Sequence, residues 1–80
     1  MEIKIYEKLP KEAIDIRESV FVKEQGFKNE LDDIDDTAKH IVIFDSFLNP
    51  IATCRFFYSE ERKCYVIGRV AVKKNLEEKI

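Results

Sequence analysis

The run Cys64-Tyr65-Val66-Ile67-Gly68-Arg69-Val70-Ala71-Val72 constrains the fold more than any other part of the chain. It is short, apolar and rich in β-branched residues, which reads as a strand. Divided at the strand period of two, both faces stay mainly apolar. Cys64, Val66, Gly68, Val70 and Val72 lie on one; Tyr65, Ile67, Arg69 and Ala71 lie on the other. The preceding run, Ile51 to Tyr58, has the same character, and the polar stretch Ser59-Glu60-Glu61-Arg62-Lys63 joins the two as a hairpin. A half-solvated antiparallel sheet would alternate apolar and polar residues. This hairpin calls for cover on both faces.

One helix is legible to provide it. Pro10 opens it at the first turn, it runs to about Gln25, and Gly26 is suited to cap its C-terminus. Ala13, Ile16 and Val20 form one stripe, with Ile14, Arg17 and Phe21 on the flank. An amphipathic helix covers one face of a sheet. The other face then needs a later helix or another chain. Only Lys73 to Ile80 follow the last strand, with no glycine among them, so the sequence predicts an incomplete domain over 1–80.

The remaining elements follow from pattern. Glu2 to Glu7 alternates as a short strand. His40-Ile41-Val42-Ile43-Phe44 lacks alternation and predicts a strand buried on both faces. The expected fold class is α+β: a mainly antiparallel four-stranded sheet, strands near 2–7, 39–45, 50–58 and 64–72, with one principal helix on one face.

Composition narrows the function classes. Eighty residues make one domain that buries roughly 60% of its unfolded surface. A net charge of −2 excludes a strongly basic nucleic-acid module. No apolar run approaches the ~20 residues of a membrane span, and Met-Glu-Ile-Lys-Ile-Tyr lacks the shape of a signal peptide. The expected location is cytoplasmic, with no membrane partner. Two cysteines and one histidine are too few for a zinc site. A hairpin register with Tyr58 facing Cys64 brings Cys54 near Gly68, keeping the two sulfurs roughly 13 Å apart, so both are expected to be free thiols.

Several residues are candidates for chemistry. Glu30, Asp32, Asp33, Asp35 and Asp36 form an acidic segment that fails the calcium-loop pattern, since the sixth position from Asp33 is Ala38 and the twelfth is Phe44. It is either a solvated acidic loop or a surface for a cationic amine. His40 is either a general base or a satisfied residue at a strand edge. Glu24 lies at the helix end where its charge opposes the macrodipole. Arg55 and Arg69 fall on one face of the hairpin, to pair with the acidic loop or to contact a ligand. No nucleophile motif is present, and Gly26 and Gly68, the only glycines, make no phosphate loop.

Taken together, Ile16-Arg17-Glu18-Ser19-Val20-Phe21-Val22-Lys23-Glu24-Gln25-Gly26-Phe27, Glu30-Leu31-Asp32-Asp33-Ile34-Asp35, His40, Ala52-Thr53-Cys54-Arg55-Phe56 and Ile67-Gly68-Arg69-Val70-Ala71-Val72 resemble the GNAT superfamily of acyl-CoA-dependent N-acetyltransferases. The similarity is to the N-terminal half of the small bacterial branch whose first helix reads R-x-x-V-F-V-x-E-Q. It implies that acetyl-CoA is the co-substrate and that a bulge in the fourth strand opens a cleft. There Val70, Ala71 and Val72 would offer backbone groups to pantetheine. It further implies that Glu24 and Asp33 face an amine-bearing acceptor; it assigns no catalytic base. The family's Q/R-x-x-G-x-G/A loop, which holds the pyrophosphate at a helix N-terminus, has no counterpart in these residues. The 80 residues alone are therefore expected neither to bind acetyl-CoA tightly nor to transfer acetyl groups. The competing expectation is a non-catalytic module that associates through its open sheet face, with a second copy or a complementing chain.

Overall fold

The structure is a computed structural model, and it describes residues 1–26 and 31–73. The loop expected from Phe27 to Asn29, Glu30 and the residues after Lys73 lie outside them. Four strands, β1 (Glu2–Tyr6), β2 (Lys39–Phe44), β3 (Pro50–Ser59) and β4 (Cys64–Val72), form one antiparallel sheet in the order β1-β2-β3-β4. The α-helix α1 (Lys11–Arg17) continues as a π-helical segment (Glu18–Glu24), and a short helix, α2 (Ile34–Thr37), precedes β2. The α+β class and the strand positions read from the sequence match this arrangement to within a residue.

The helix packs on one face of the sheet, against β2, β3 and β4. Pro10 is its N-cap, with extended backbone, and its carbonyl accepts from the N–H groups of Ala13 and Ile14. Ala13, Ile16 and Val20 are buried against Val42, Phe44 and Ala71, with Tyr6, Leu9 and Phe21 around them. The helical stripe is thus the one the periodicity marked. The second half departs from the expected regular α-helix by widening to π turns. The β-branched Val20 and Val22 flank Phe21 within this segment. The wider turn lets Phe21 pack beside the core while Glu24 remains exposed. Gly26, at φ 74°, takes the left-handed conformation that ends helices, and its N–H donates to the Val22 carbonyl.

Two expectations about the sheet are corrected. β2 is not equally buried on both faces. His40, Val42 and Phe44 are buried toward the helix, whereas Ile41 and Ile43 are half-buried on the other side. An apolar sequence on both faces does not by itself secure a second cover. The β3–β4 register also differs by one residue: Tyr58 faces Tyr65 and Ser59 faces Cys64. Lys63, at φ 56°, donates its N–H to the Ser59 carbonyl, which closes the hairpin one residue tighter.

The open face follows from the register. Ile3, Ile43, Ala52 and Val72 align across the sheet, Ile5 and Ile41 align with Cys54, and Phe56 pairs with Ile67. Cys54 is half-buried and Cys64 is exposed; both are free thiols.

Candidate functional site

The largest departure from a plain hydrophobic core lies beside it, between α1, the α2 turn and the two last strands. Arg17, one turn after Ala13 on the buried stripe, is 1% exposed. Its Nη1 donates to Asp35 Oδ1 at 2.8 Å and its Nη2 to Asp35 Oδ2 at 2.9 Å, a bidentate pair. Arg55 Nη1 donates to Asp35 Oδ1 at 3.0 Å and to Asp32 Oδ1 at 2.6 Å, and Arg55 Nη2 to Asp32 Oδ2 at 3.1 Å. Arg69 Nη2 donates to Asp32 Oδ2 at 3.2 Å. The Asp32 N–H donates to Asp35 Oδ2 at 3.1 Å. Asp35 thus accepts four hydrogen bonds, the full capacity of a carboxylate.

The local sequence explains this convergence. Asp32 and Asp35 are three residues apart at the start of a helical turn, so both carboxylates reach the arginines, Asp35 buried and Asp32 at the rim, while Asp33 and Asp36 are exposed. Arg69 arrives by two offsetting departures. The register puts Arg55 opposite Gly68, which alone would send Arg69 to the open face. A bulge then sets Arg69 and Val70 against Cys54, and Arg69 takes φ 50°, so its guanidinium reaches Asp32 on the helix side. The pairing of Arg55 and Arg69 with the acidic segment is the outcome; ligand contact was the alternative.

Electrostatics follow from the contacts. Burial pushes Asp35 up, but hydrogen bonds from Arg17, the Asp32 N–H and Arg55 outweigh it and hold the carboxyl well below the usual range. The Arg55 guanidinium likewise lowers Asp32. Burial works against the Arg55 charge, but Asp32 and Asp35 more than offset that and keep it firmly protonated. Burial raises the Cys54 thiol. His40 is 1% exposed, and its Nε2 lies 3.0 Å from the Asp35 carbonyl oxygen, so that nitrogen carries the proton and donates. A buried, bonded imidazole fits the reading of His40 as a satisfied residue at a strand edge.

The residues singled out for binding lie apart from this network. Glu24 and Asp33 are exposed, at the end of the π-helical segment and at the N-cap of α2. Val70 is exposed beside the bulge, Ala71 is buried in the core, and Val72 is half-buried opposite Ala52. The Lys73 N–H donates inward to the Ile51 carbonyl. By strand alternation Val72 therefore turns its N–H and C=O to the outer edge, while those of Ala71 face β3. A cleft opens on the β1 side of α2 between Lys8, Leu9, Asp35 and Asp36 and holds none of these residues. Arg17 was read as a flank position and as the arginine of the helix motif, without a partner assigned to it. Its signal was an arginine adjoining Ile16 on a stripe with no room for an unpaired charge. Among the described residues no group of three or more His, Cys, Asp or Glu side chains could hold a metal ion, and no helix is long and apolar enough to cross a membrane.

Comparisons with family models, with curated proteins and with solved structures find no match.

Proposed function

We propose that these residues are the N-terminal half of a GNAT-type N-acetyltransferase, in which an amine attacks the thioester carbonyl of acetyl-CoA. The observation that carries the reading is the β4 bulge at Arg69 and Val70. The resemblance calls for a bulge in that strand, and composition alone gives no reason for one there. β4 is an edge strand, so the outward N–H and C=O of Val72 are available to the amide groups of a pantetheine arm. Val70 and Ala71 flank that contact; Val70 offers exposed apolar surface and Ala71 ties the strand to the core.

The ionic network acts through position. It holds the α2 turn against the bulge, because Asp32 bonds to both Arg55 on β3 and Arg69 in the bulge itself. The exposed carboxylates of Glu24 and Asp33 are assigned to a protonated amine acceptor, which they attract before it loses its proton. Among the described residues no nest of N–H groups is placed to receive pyrophosphate beside β4, and the reading assigns those contacts to a further segment or chain.

Amide-resolved NMR titration with acetyl-CoA and with pantetheine tests the reading. Both ligands should shift the amides of Val70 to Lys73 at millimolar concentration, with similar weak affinity. Shifts confined to another surface, or none, would reject it.

A further inference from the structure

Two features of β4 are left unused by the acyl-transfer reading. Its last residues, Val70-Ala71-Val72, are apolar whichever way they face. Arg69, a non-glycine residue, is held at φ 50° in the bulge. We infer that the C-terminal end of β4 has two registers on β3, the bulged one and a straight one, and that Asp32 selects the bulged one through Arg69.

The two registers differ by one residue. Before the bulge, Phe56 faces Ile67 and Arg55 faces Gly68; after it, Thr53 faces Ala71 and Ala52 faces Val72. Continued without a bulge, the first ladder sets Arg69 opposite Cys54, Val70 opposite Thr53 and Val72 opposite Ile51. A slip of one residue moves each side chain to the other face. Arg69 then leaves Asp32 for the face away from the helix. Val70, 63% exposed in the bulged strand, takes the core position of Ala71, which is 2% exposed. An apolar residue fills the core in either register, so the slip buries no polar side chain there.

The opposing effects are of similar size. Left-handed backbone is unfavourable for arginine, and the straight strand relieves it. The bulged strand keeps the Arg69–Asp32 bond at 3.2 Å, but both side chains are about one-third exposed, and such an ion pair is weak. It also keeps alanine at a core position that valine would overpack. The last two effects act together and make the bulged register the major one. Among the described residues β4 pairs with β3 alone, so no second ladder resists the slip. The slip changes the outer edge. In the bulged strand the Lys73 N–H donates to the Ile51 carbonyl and the Val72 N–H points outward. In the straight strand Val72 makes the bond to Ile51, and the N–H groups of Ala71 and Lys73 point outward instead. The consequence for a pantetheine arm, which loses the Val72 N–H, rests on the acyl-transfer reading; the slip itself does not.

Amide hydrogen exchange and saturation-transfer NMR on the ligand-free chain and three variants test it, with circular dichroism to verify folding. In the wild type the amides of Ala71 and Lys73 should be protected and that of Val72 unprotected, with the straight register populated at about 1–10%. Asp32→Asn should raise that population about 2–5-fold. Arg69→Val makes no ion pair, and its branched side chain disfavours positive φ, so the alternation should reverse and protect Val70 and Val72. Arg69→Gly is at ease at positive φ and should abolish the minor state. If Asp32→Asn does not fold, the two Arg69 variants carry the test. A wild type with no second state above about 0.5% would overturn the inference. So would an Arg69→Val variant that keeps the wild-type alternation, or exchange that Arg69→Gly leaves unchanged. No readout involves a ligand, so failure of the acyl-transfer reading would leave this result standing.

Discussion

Asp35 is the residue on which the helix, the α2 turn and β3 depend together. It is buried, Arg17 holds it in a bidentate pair, and Arg55 adds one further bond. Removing one partner of a buried ion pair costs about 3–5 kcal/mol, because the remaining charge is left without compensation. An 80-residue domain holds only about 4–12 kcal/mol in total. Asp35→Asn should therefore lose most of its cooperative urea transition; a change below about 1 kcal/mol would contradict the role assigned here. The pH dependence follows from the direction of the shift. Asp35 is more acidic folded than unfolded, so it contributes stability that is fully present above its unfolded pKa of about 3.9 and is lost as pH falls below that value. The wild-type urea midpoint should decline on acidification below about pH 4; a midpoint unchanged down to about pH 2 would contradict the assignment.

At the scale of elements, strain is localised in loops and in the bulge. Asp45 organises the β2–β3 connection. Its Oδ1 accepts from the N–H groups of Phe47 and Asn49, and its carbonyl accepts from the Leu48 N–H. That arrangement forces Leu48 to φ 64° while its side chain stays exposed. Left-handed backbone costs a non-glycine residue about 1–2 kcal/mol, and glycine's extra unfolded-state entropy returns about 0.5–1 of it. Leu48→Gly should raise stability by about 0.5–1 kcal/mol, seen as a rise of several degrees in Tm. A fall in Tm would show that Leu48 makes a contact worth more than the strain. Arg69 is held at a similar φ, but glycine there would also give up the bond to Asp32.

The same elements show what a sequence of this kind discloses. Strand positions and the Ala13–Ile16–Val20 stripe were legible because burial imposes a period that side-chain polarity records directly. The face shared by Arg55 and Arg69 was also legible, though the assumed register was wrong; a hairpin tighter by one residue and a bulge of one residue cancel in parity. The π-helical turns and the positive φ of Lys63 were not legible, since the polarity period records neither. In the acidic segment the resemblance singled out Asp33 for an acceptor, and the sequence did not separate Asp32 and Asp35, the two residues of the ionic network, from their neighbours. Their three-residue spacing was visible, but its meaning required knowing which side of the turn met two arginines.

At the scale of the whole molecule, a small apolar core and an ionic layer share one side of a four-stranded sheet, and none of the described residues covers the other side. The central proposal is that β4 supplies the pantetheine edge of an acetyl-CoA site and nothing among the described residues supplies its phosphate nest. Charge-assisted hydrogen bonds to a pyrophosphate are worth about 1.5–3 kcal/mol each, so three absent ones weaken binding by about 4–9 kcal/mol. That moves a micromolar site to millimolar or beyond. Calorimetric titration of the 80-residue chain with acetyl-CoA, beside its Val72→Pro variant, measures this most directly. Proline removes the outward N–H of Val72 without removing a ladder bond to β3. The account predicts millimolar binding by the wild type and weaker binding still by the variant. Micromolar binding by the wild type, or affinity that the proline leaves untouched, would contradict it.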